Sequence, residues 1–216
     1  MDAIESGMPC KRPYELGKRQ DASDRTRQAV LEAARKQLEV GGVRDLTMES
    51  LARASGVTRQ TIHNLFGTKS ALLEALFDRL AVDAGMMRVR EVFMAPDGES
   101  MLAKMVEVFT GFWLQQRIVL KRIHGLAAID PEFGQAVDAR NRRRHGVAER
   151  VIDRLCTGRS GRDEEERLRK VAILVAMTSF EFFDALAESS GSAVEGAARL
   201  LPLVRLSIQA GPSGRE

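Results

Sequence analysis

Cysteine is scarce: Cys10 and Cys156 are the only two among 216 residues, and they share no metal-type spacing. A disulfide framework is not expected, and two reduced thiols suit a cytosolic protein. Long apolar runs are lacking too. Nothing approaches the ~18–20 residues a membrane span needs. The N-terminus has no apolar stretch of the secretory type. A cytoplasmic protein without a membrane partner is the expectation. Alternating β-branched strand patterns are almost absent, which leaves an all-α class. Catalytic signatures are missing as well: there is no G-x-S-x-G elbow, no phosphate-cradling glycine loop and no zinc pattern. With only three histidines, His63, His124 and His145, neither catalysis nor a metal or other cofactor is expected.

What is present is ordinary in amount and informative in order. Hydrophobic residues make up 44% and charged residues 29%, enough for a packed core in a chain of this length. The net charge of +3 is too mild to establish nucleic-acid binding. Its distribution is more pointed. Lys11, Arg12, Lys18, Arg19, Arg25 and Arg27 face only Glu15, Asp21 and Asp24 over the same stretch. Residues 1–22, with Gly7, Pro9, Pro13 and Gly17, read as a disordered basic arm. It is either an inert tail or an arm that touches DNA phosphates or the minor groove.

Helical periodicity begins near Ser23, with Asp24 as candidate N-cap, and stops at Gly41-Gly42. Thr47 then caps a short helix that ends at Gly56, and Thr58 caps a second that ends at Gly67. The next helix is expected over 68–93, followed by Pro96-Asp97-Gly98. Further helices are expected at 99–115, 117–128, 131–157, 163–189 and 193–209, about nine in all. Residues 23–68 form a candidate helix-turn-helix domain and 69–210 a larger helical body.

The two short helices, 47–55 and 58–65, joined by a tight glycine turn, fit helix-turn-helix geometry. Leu51 and Ala52 must pack on Ile62 and Phe66 to fix the angle between them. Gly56 allows the turn without a Cβ clash. That leaves Thr58, Arg59, Gln60, Thr61, His63 and Asn64 on the exposed side of the second helix. Arg reads guanine edges, Gln and Asn read adenine, and Thr and His suit phosphate or methyl contacts.

The stretch TMESLARASGVTRQTIHNLFGTKSALLEAL, within Arg27 to Leu76, resembles the DNA-binding head of the tetracycline-repressor (TetR) family. The resemblance rests on Thr47, Leu51-Ala52, Ala54, Gly56-Val57, Thr58, Thr61, Ile62, Phe66, Lys69 and Leu72-Leu73. It implies that Arg59, Gln60, Thr61, His63 and Asn64 face the groove and that Lys69 grips phosphate at a helix N-terminus. With the capping threonines, the candidate DNA-contacting set is Thr47, Thr58, Arg59, Gln60, Thr61, His63, Asn64 and Lys69. His63 stands where the family usually has Tyr, and Gln60 where Gly or Pro is common, so the operator sequence stays open.

Over the body the resemblance is loose. The segment TSFEFFDAL (178–186) and the Ala/Leu-rich helix after it look like the last two helices of many members, which pair in a four-helix dimer interface. Apolar residues on several faces of 163–189, and Ala197, Ala198, Leu201, Val204 and Ile208 on 193–209, fit a homodimer; a monomer with a large core is the plainer alternative. Met and aromatic residues crowd 86–113 and read mostly as core. The resemblance nominates Phe109, Trp113, His124, Met177 and Phe180 as candidate ligand-binding residues. Arg140, Arg142, Arg143, Arg144 and His145 read as a solvated face salt-linked to Glu149, Asp153 and the acidic run at 163–166. A second nucleic-acid patch or an anion site is the alternative.

The implied function is a DNA-binding transcriptional regulator. In this reading a small apolar or amphipathic effector tilts helix 68–93 and releases a repressor dimer from a palindromic operator in duplex DNA. An activator of the same fold, or a helical protein-binding adaptor, are the alternatives.

Overall fold

A computed structural model describes residues 14–41, 45–157 and 164–210. Among the described residues there are ten α-helices and no strand. Cys10, the first thirteen residues of the expected arm and the acidic residue Asp163 lie outside them.

Helix α1 spans Tyr14–Val40, so it begins ahead of the expected cap at Asp24, inside the stretch assigned to the arm. Glu15, Leu16, Lys18, Arg19 and Gln20 are good helix formers, and one glycine among them costs only ~1 kcal/mol. The Gln20 amide donates to Asp24 (3.2 Å) and the Thr26 hydroxyl to the Ala22 carbonyl (2.8 Å), both one turn apart. Asp24 is therefore a mid-helix acceptor and not a cap.

Helices α2 (Met48–Ser55), α3 (Arg59–Phe66) and α4 (Lys69–Asp83) follow in the expected order. Each begins with a threonine whose hydroxyl accepts from a backbone N–H three residues on: Thr47 from Ser50, Thr58 from Thr61 and Thr68 from Ala71. Such caps satisfy donors that a helix start leaves orphaned, each worth ~1 kcal/mol. Gly56 and Gly67 close α2 and α3 at φ 71° and 75°, a region that residues with a Cβ adopt at a cost.

Three expectations change beyond α4. The helix foreseen over 68–93 is broken: Gly85, at φ 73°, ends α4 and leads through a single 3₁₀ turn into α5, Val89–Met94. The helices foreseen at 99–115 and 117–128 are one, α6, Gly98–Ala127, capped by Asp97. Gln115, Gln116 and Arg117 interrupt the apolar pattern there but are good helix formers, so nothing stops the helix. After α7 (Pro131–Leu155), the helix foreseen over 163–189 is split into α8 (Glu164–Met177) and α9 (Phe180–Ser189). Ser179 caps α9 by accepting from the Phe182 N–H at 3.1 Å. The Trp113 indole takes up the Thr178 carbonyl at the same break (3.1 Å). Helix α10 spans Ala193–Gln209, with the exposed Pro202 inside it.

One apolar cluster runs from Val30 and Leu38 in α1 through Leu51, Ile62 and Leu73 into α6, α7, α9 and α10. The head and body thus share a core. Polar ties reinforce the junction: the Arg122 guanidinium on α6 donates to the Leu38 carbonyl at the end of α1. Within the body, α10 lies so close to α9 that a Cβ on Gly196 would meet the Ala187 Cα at 2.8 Å. Only glycine allows that approach.

Candidate nucleic-acid interface and effector cavity

Leu51 and Ile62 are fully buried, and Phe66 nearly so, which fixes α3 against α2 and α1. Arg27 on α1 locks the end of α3, with its guanidinium 4.5 Å from the Phe66 ring centre and donating to the Leu65 carbonyl at 3.2 Å. The opposite side of α3 is free. Thr58, Arg59, Gln60, His63 and Asn64 are exposed, and Thr61 is half-buried beside its cap. Thr47 is exposed at the start of α2 and Lys69 half-buried in the first turn of α4.

These side chains are held loosely and mostly by one another. The Gln60 amide donates to the Asn64 Oδ1 at 2.8 Å, one turn along. The Arg59 guanidinium reaches the Glu49 carboxylate of α2 at 2.9 Å with both groups largely in solvent, a pair worth well under ~1 kcal/mol. Thr47 and Thr58 have a second task, since their hydroxyls serve as caps. The face can therefore exchange its present contacts for base edges and phosphates at small cost.

The body holds a partly open cavity of about 230 Å³ between α4, the 3₁₀ turn, α6 and α7. Phe109, Trp113 and His124 line it, as do Phe77, Met86 and Val147. Met177 and Phe180 do not. Phe180 packs behind the wall, edge-on to Trp113 at 5.7 Å and 4.8 Å from the His124 ring centre. Met177 is buried at the end of α8. His124 Nδ1 lies 2.7 Å from a Glu181 carboxylate oxygen; the carboxylate can only accept, so Nδ1 carries the hydrogen. That hydrogen bond above all, with the Arg144 charge a smaller contribution, holds the Glu181 carboxyl at about 2 against an ordinary 4.5. His124 Nε2 is buried and has no partner.

The polar wall belongs to α7, and here the expected solvated arginine face divides. Arg142, Arg143 and His145 are exposed, whereas Arg140 and Arg144, one helical turn apart, point inward. Arg140 lies 4.7 Å over the Phe77 ring and binds Asp78 at 2.6 Å and the Glu74 carbonyl at 3.2 Å, all on α4. Arg144 is only 6% exposed. It donates to the Val175 carbonyl, to the Thr178 hydroxyl (3.0 Å) and, at 3.4 Å, to Asn141. Burial pushes its pKa down and Glu181 partly offsets that, yet an arginine stays charged. Of the carboxylates expected to pair with this cluster, Glu149 meets His145 at 3.7 Å, while Asp153 and Glu164 bind Arg167. The line Val137, Arg140-Asn141, Arg144, Val147 repeats at three and four residues. That spacing was the available signal that the arginines share a face with core residues.

Residues 30–76 match the profile of bacterial regulatory proteins of the tetR family. This segment is a TetR-family DNA-binding head. No curated protein matches the chain. Among solved structures, a TetR transcription regulator from Haloarcula marismortui has a TM-score of 0.64 at 16% identity, covering 86% of this chain and 97% of its own. NalD from Pseudomonas aeruginosa, the secondary repressor of the MexAB-OprM multidrug efflux pump, has a TM-score of 0.59 at 20% identity, covering 86% and 96%. A protein from Saccharomonospora viridis crystallised with choline has a TM-score of 0.61 at 18% identity, covering 84% and 96%. At these identities the likeness establishes the fold alone: a head of short helices on an all-helical body. Among the described residues no helix is long and apolar enough to cross a membrane.

Proposed function

We propose that the chain is a one-component transcriptional repressor of the cytoplasm and not an enzyme. It would bind duplex DNA as a homodimer and leave its operator when a small amphipathic effector enters the body. The observation that carries this reading is the exposed row Arg59, Gln60, His63 and Asn64 on a capped, rigidly seated α3. Side chains that read base edges, on a helix short enough for the major groove, have little other use. Lys69 and the N-terminus of α4 would take a phosphate.

Dimerisation is supported by two exposed apolar lines. Leu168, Ala172 and Ala176 lie on α8, and Val194, Ala198, Pro202 and Leu206 on α10, each at four-residue spacing. Leu168, Val194 and Leu206 are 53%, 69% and 67% exposed, although Val204 and Ile208 turn into the chain's own core. Pro202 lacks an N–H, and its place on this outer line puts it where a partner could cover it. A two-fold dimer of this kind reads a pseudo-palindrome with half-sites about one turn, ~34–36 Å, apart.

Coupling would run through α4, which leaves the DNA-reading helix at Thr68 and ends beside the cavity. Arg140 ties α4 to α7 and itself lines the cavity. An occupant that shifts α7, or competes for Arg140, moves α4 and with it the spacing of the two heads. The coupling required is ~1–3 kcal/mol.

Selection of bound duplexes from a random pool tests the reading. Enrichment of one pseudo-palindromic sequence is expected; sequence-independent binding, or none, would contradict it. The adaptor reading predicts no binding to duplex DNA at any salt concentration, and activation would show as transcription rising with operator occupancy.

A further inference from the structure

We infer that the cavity takes a small amphipathic carboxylate, with an apolar body the size of one substituted ring and its anionic head held by Arg144. The inference rests on the reading of the cavity as the effector site and adds the chemical class of the occupant.

Arg144 is a buried cation without an ion pair. No carboxylate lies within 4 Å of it among the described residues, and the charge nearest in effect, Glu181, is already engaged by His124. Its Nη1 is used by Val175 and Thr178, and its Nη2 has only the long contact with Asn141. Nε is buried and unpartnered. Glu181 compensates this charge only in part and without touching it; a buried charge is costly, and a hydrogen-bonded counterion removes the remaining cost. Arginine offers two parallel N–H donors along its Nε edge, the arrangement that fits a carboxylate.

The charge balance of the wall selects the sign of the ligand. Of the charged groups at the cavity, Arg140 is paired with Asp78 and Arg143 is exposed to solvent, which leaves the buried Arg144 as the cation without an ion-pair partner among the described residues. A cation would meet a positive wall, whereas a monoanion neutralises it. The remaining lining is apolar and aromatic, with Phe77, Phe109, Phe112 and Trp113 facing a ligand body. Size limits that body. An apolar cavity of ~150 Å³ holds benzene, so about 230 Å³ accommodates one ring with a carboxylate and a short substituent. His124 Nε2, buried and without a partner, is a second polar point beside the cavity.

Trp113 is the only tryptophan of the chain and lines the cavity, so its emission reports occupancy without DNA. The full-length protein is titrated with benzoate and para-alkylbenzoates, with the matching benzamides, and with phenyltrimethylammonium. Saturable changes with the carboxylates, at affinities at least tenfold above those of the amides, and no response to the cation are expected. Arg144→Met should weaken the carboxylates by about tenfold to a hundredfold, as for a hydrogen bond to a charged group, and leave amide binding unchanged. Calorimetry repeats the comparison without the fluorophore. Should Arg144→Met not fold, the preference of the wild type for acid over amide decides alone. Equal affinity for acid and amide, preference for the cation, no binding by any of the three, or a folded Arg144→Met that keeps its carboxylate affinity would each overturn the inference. Failure of duplex selection would overturn the regulator reading and leave carboxylate binding standing, so the two can fail separately.

Discussion

Leu168→Glu combined with Leu206→Glu is expected to leave the chain helical and to lower operator affinity by a hundredfold or more. Both leucines are more than half exposed, so neither change opens the core of a single chain. In a dimer built on α8 and α10 both would be covered, and four introduced carboxylates would face one another in a desolvated seam. The dimer should come apart in sedimentation equilibrium. Operator binding would then lose its second half-site. Linking two sites raises avidity by ~10²–10⁴ without any new contact, and dissociation forfeits that factor. A variant that remains dimeric, or a monomeric variant that keeps wild-type operator affinity, would contradict the assignment of the interface.

Trp113→Ala should lower the unfolding free energy by about 3–5 kcal/mol, read by far-UV circular dichroism in urea. That is a large share of the ~5–15 kcal/mol that holds a domain together. Trp113 is 5% exposed and stacks near Phe112 (4.8 Å), Phe109 (6.2 Å) and Phe180 (5.7 Å). Its indole N–H also takes the Thr178 carbonyl where the chain passes from α8 to α9. Truncation removes the ring contacts and leaves that carbonyl unpaired in a buried place, where the Arg144 guanidinium already depends on the Thr178 hydroxyl. Trp113→Phe keeps most of the packing and should cost much less. A loss below about 1 kcal/mol for the alanine variant would mean that the wall of the cavity adapts and is not a fixed part of the core.

How far the sequence reveals this molecule differs between head and body. In the head, local chemistry and global fold agree. Threonine caps at Thr47 and Thr58 and positive-φ glycines at Gly56 and Gly67 bound α2 and α3 where the pattern places them. The exposed row on α3 is the complement of Leu51, Ile62 and Phe66, which must be buried. In the body, tertiary contacts decide what local rules leave open. Ser179 caps α9 although 163–189 reads as one apolar helix, because Trp113 and Arg144 take up the polar groups of Thr178. Those partners are more than thirty residues away and leave no local trace. Gly85 was legible in principle, as a glycine inside a helical pattern, but whether such a glycine is tolerated or adopts the left-handed turn depends on what packs beside it.

The cavity shows the same division. Phe109, Trp113 and His124 come from the long helix α6 and line the cavity. Phe180, just past the break before α9, packs behind the wall on Trp113 and His124, and Met177 is buried at the end of α8. The arginines of α7 read as a charged run. Arg140 and Arg144 face α4 and α8, as their spacing with Val137 and Val147 signals, while 142, 143 and 145 are exposed.

The most direct test of the account is a fluorescence-anisotropy titration of wild type and Arg59→Ala against the selected duplex and a scrambled one, at two salt concentrations. The Arg59 side chain is 72% exposed and its partner in the structure is Glu49, so its removal leaves the fold intact. The account predicts that wild type binds the selected duplex tightly and in a salt-dependent manner. The variant should lose about 1–3 kcal/mol on that duplex and little on the scrambled one. Equal binding of both duplexes by both proteins would contradict it.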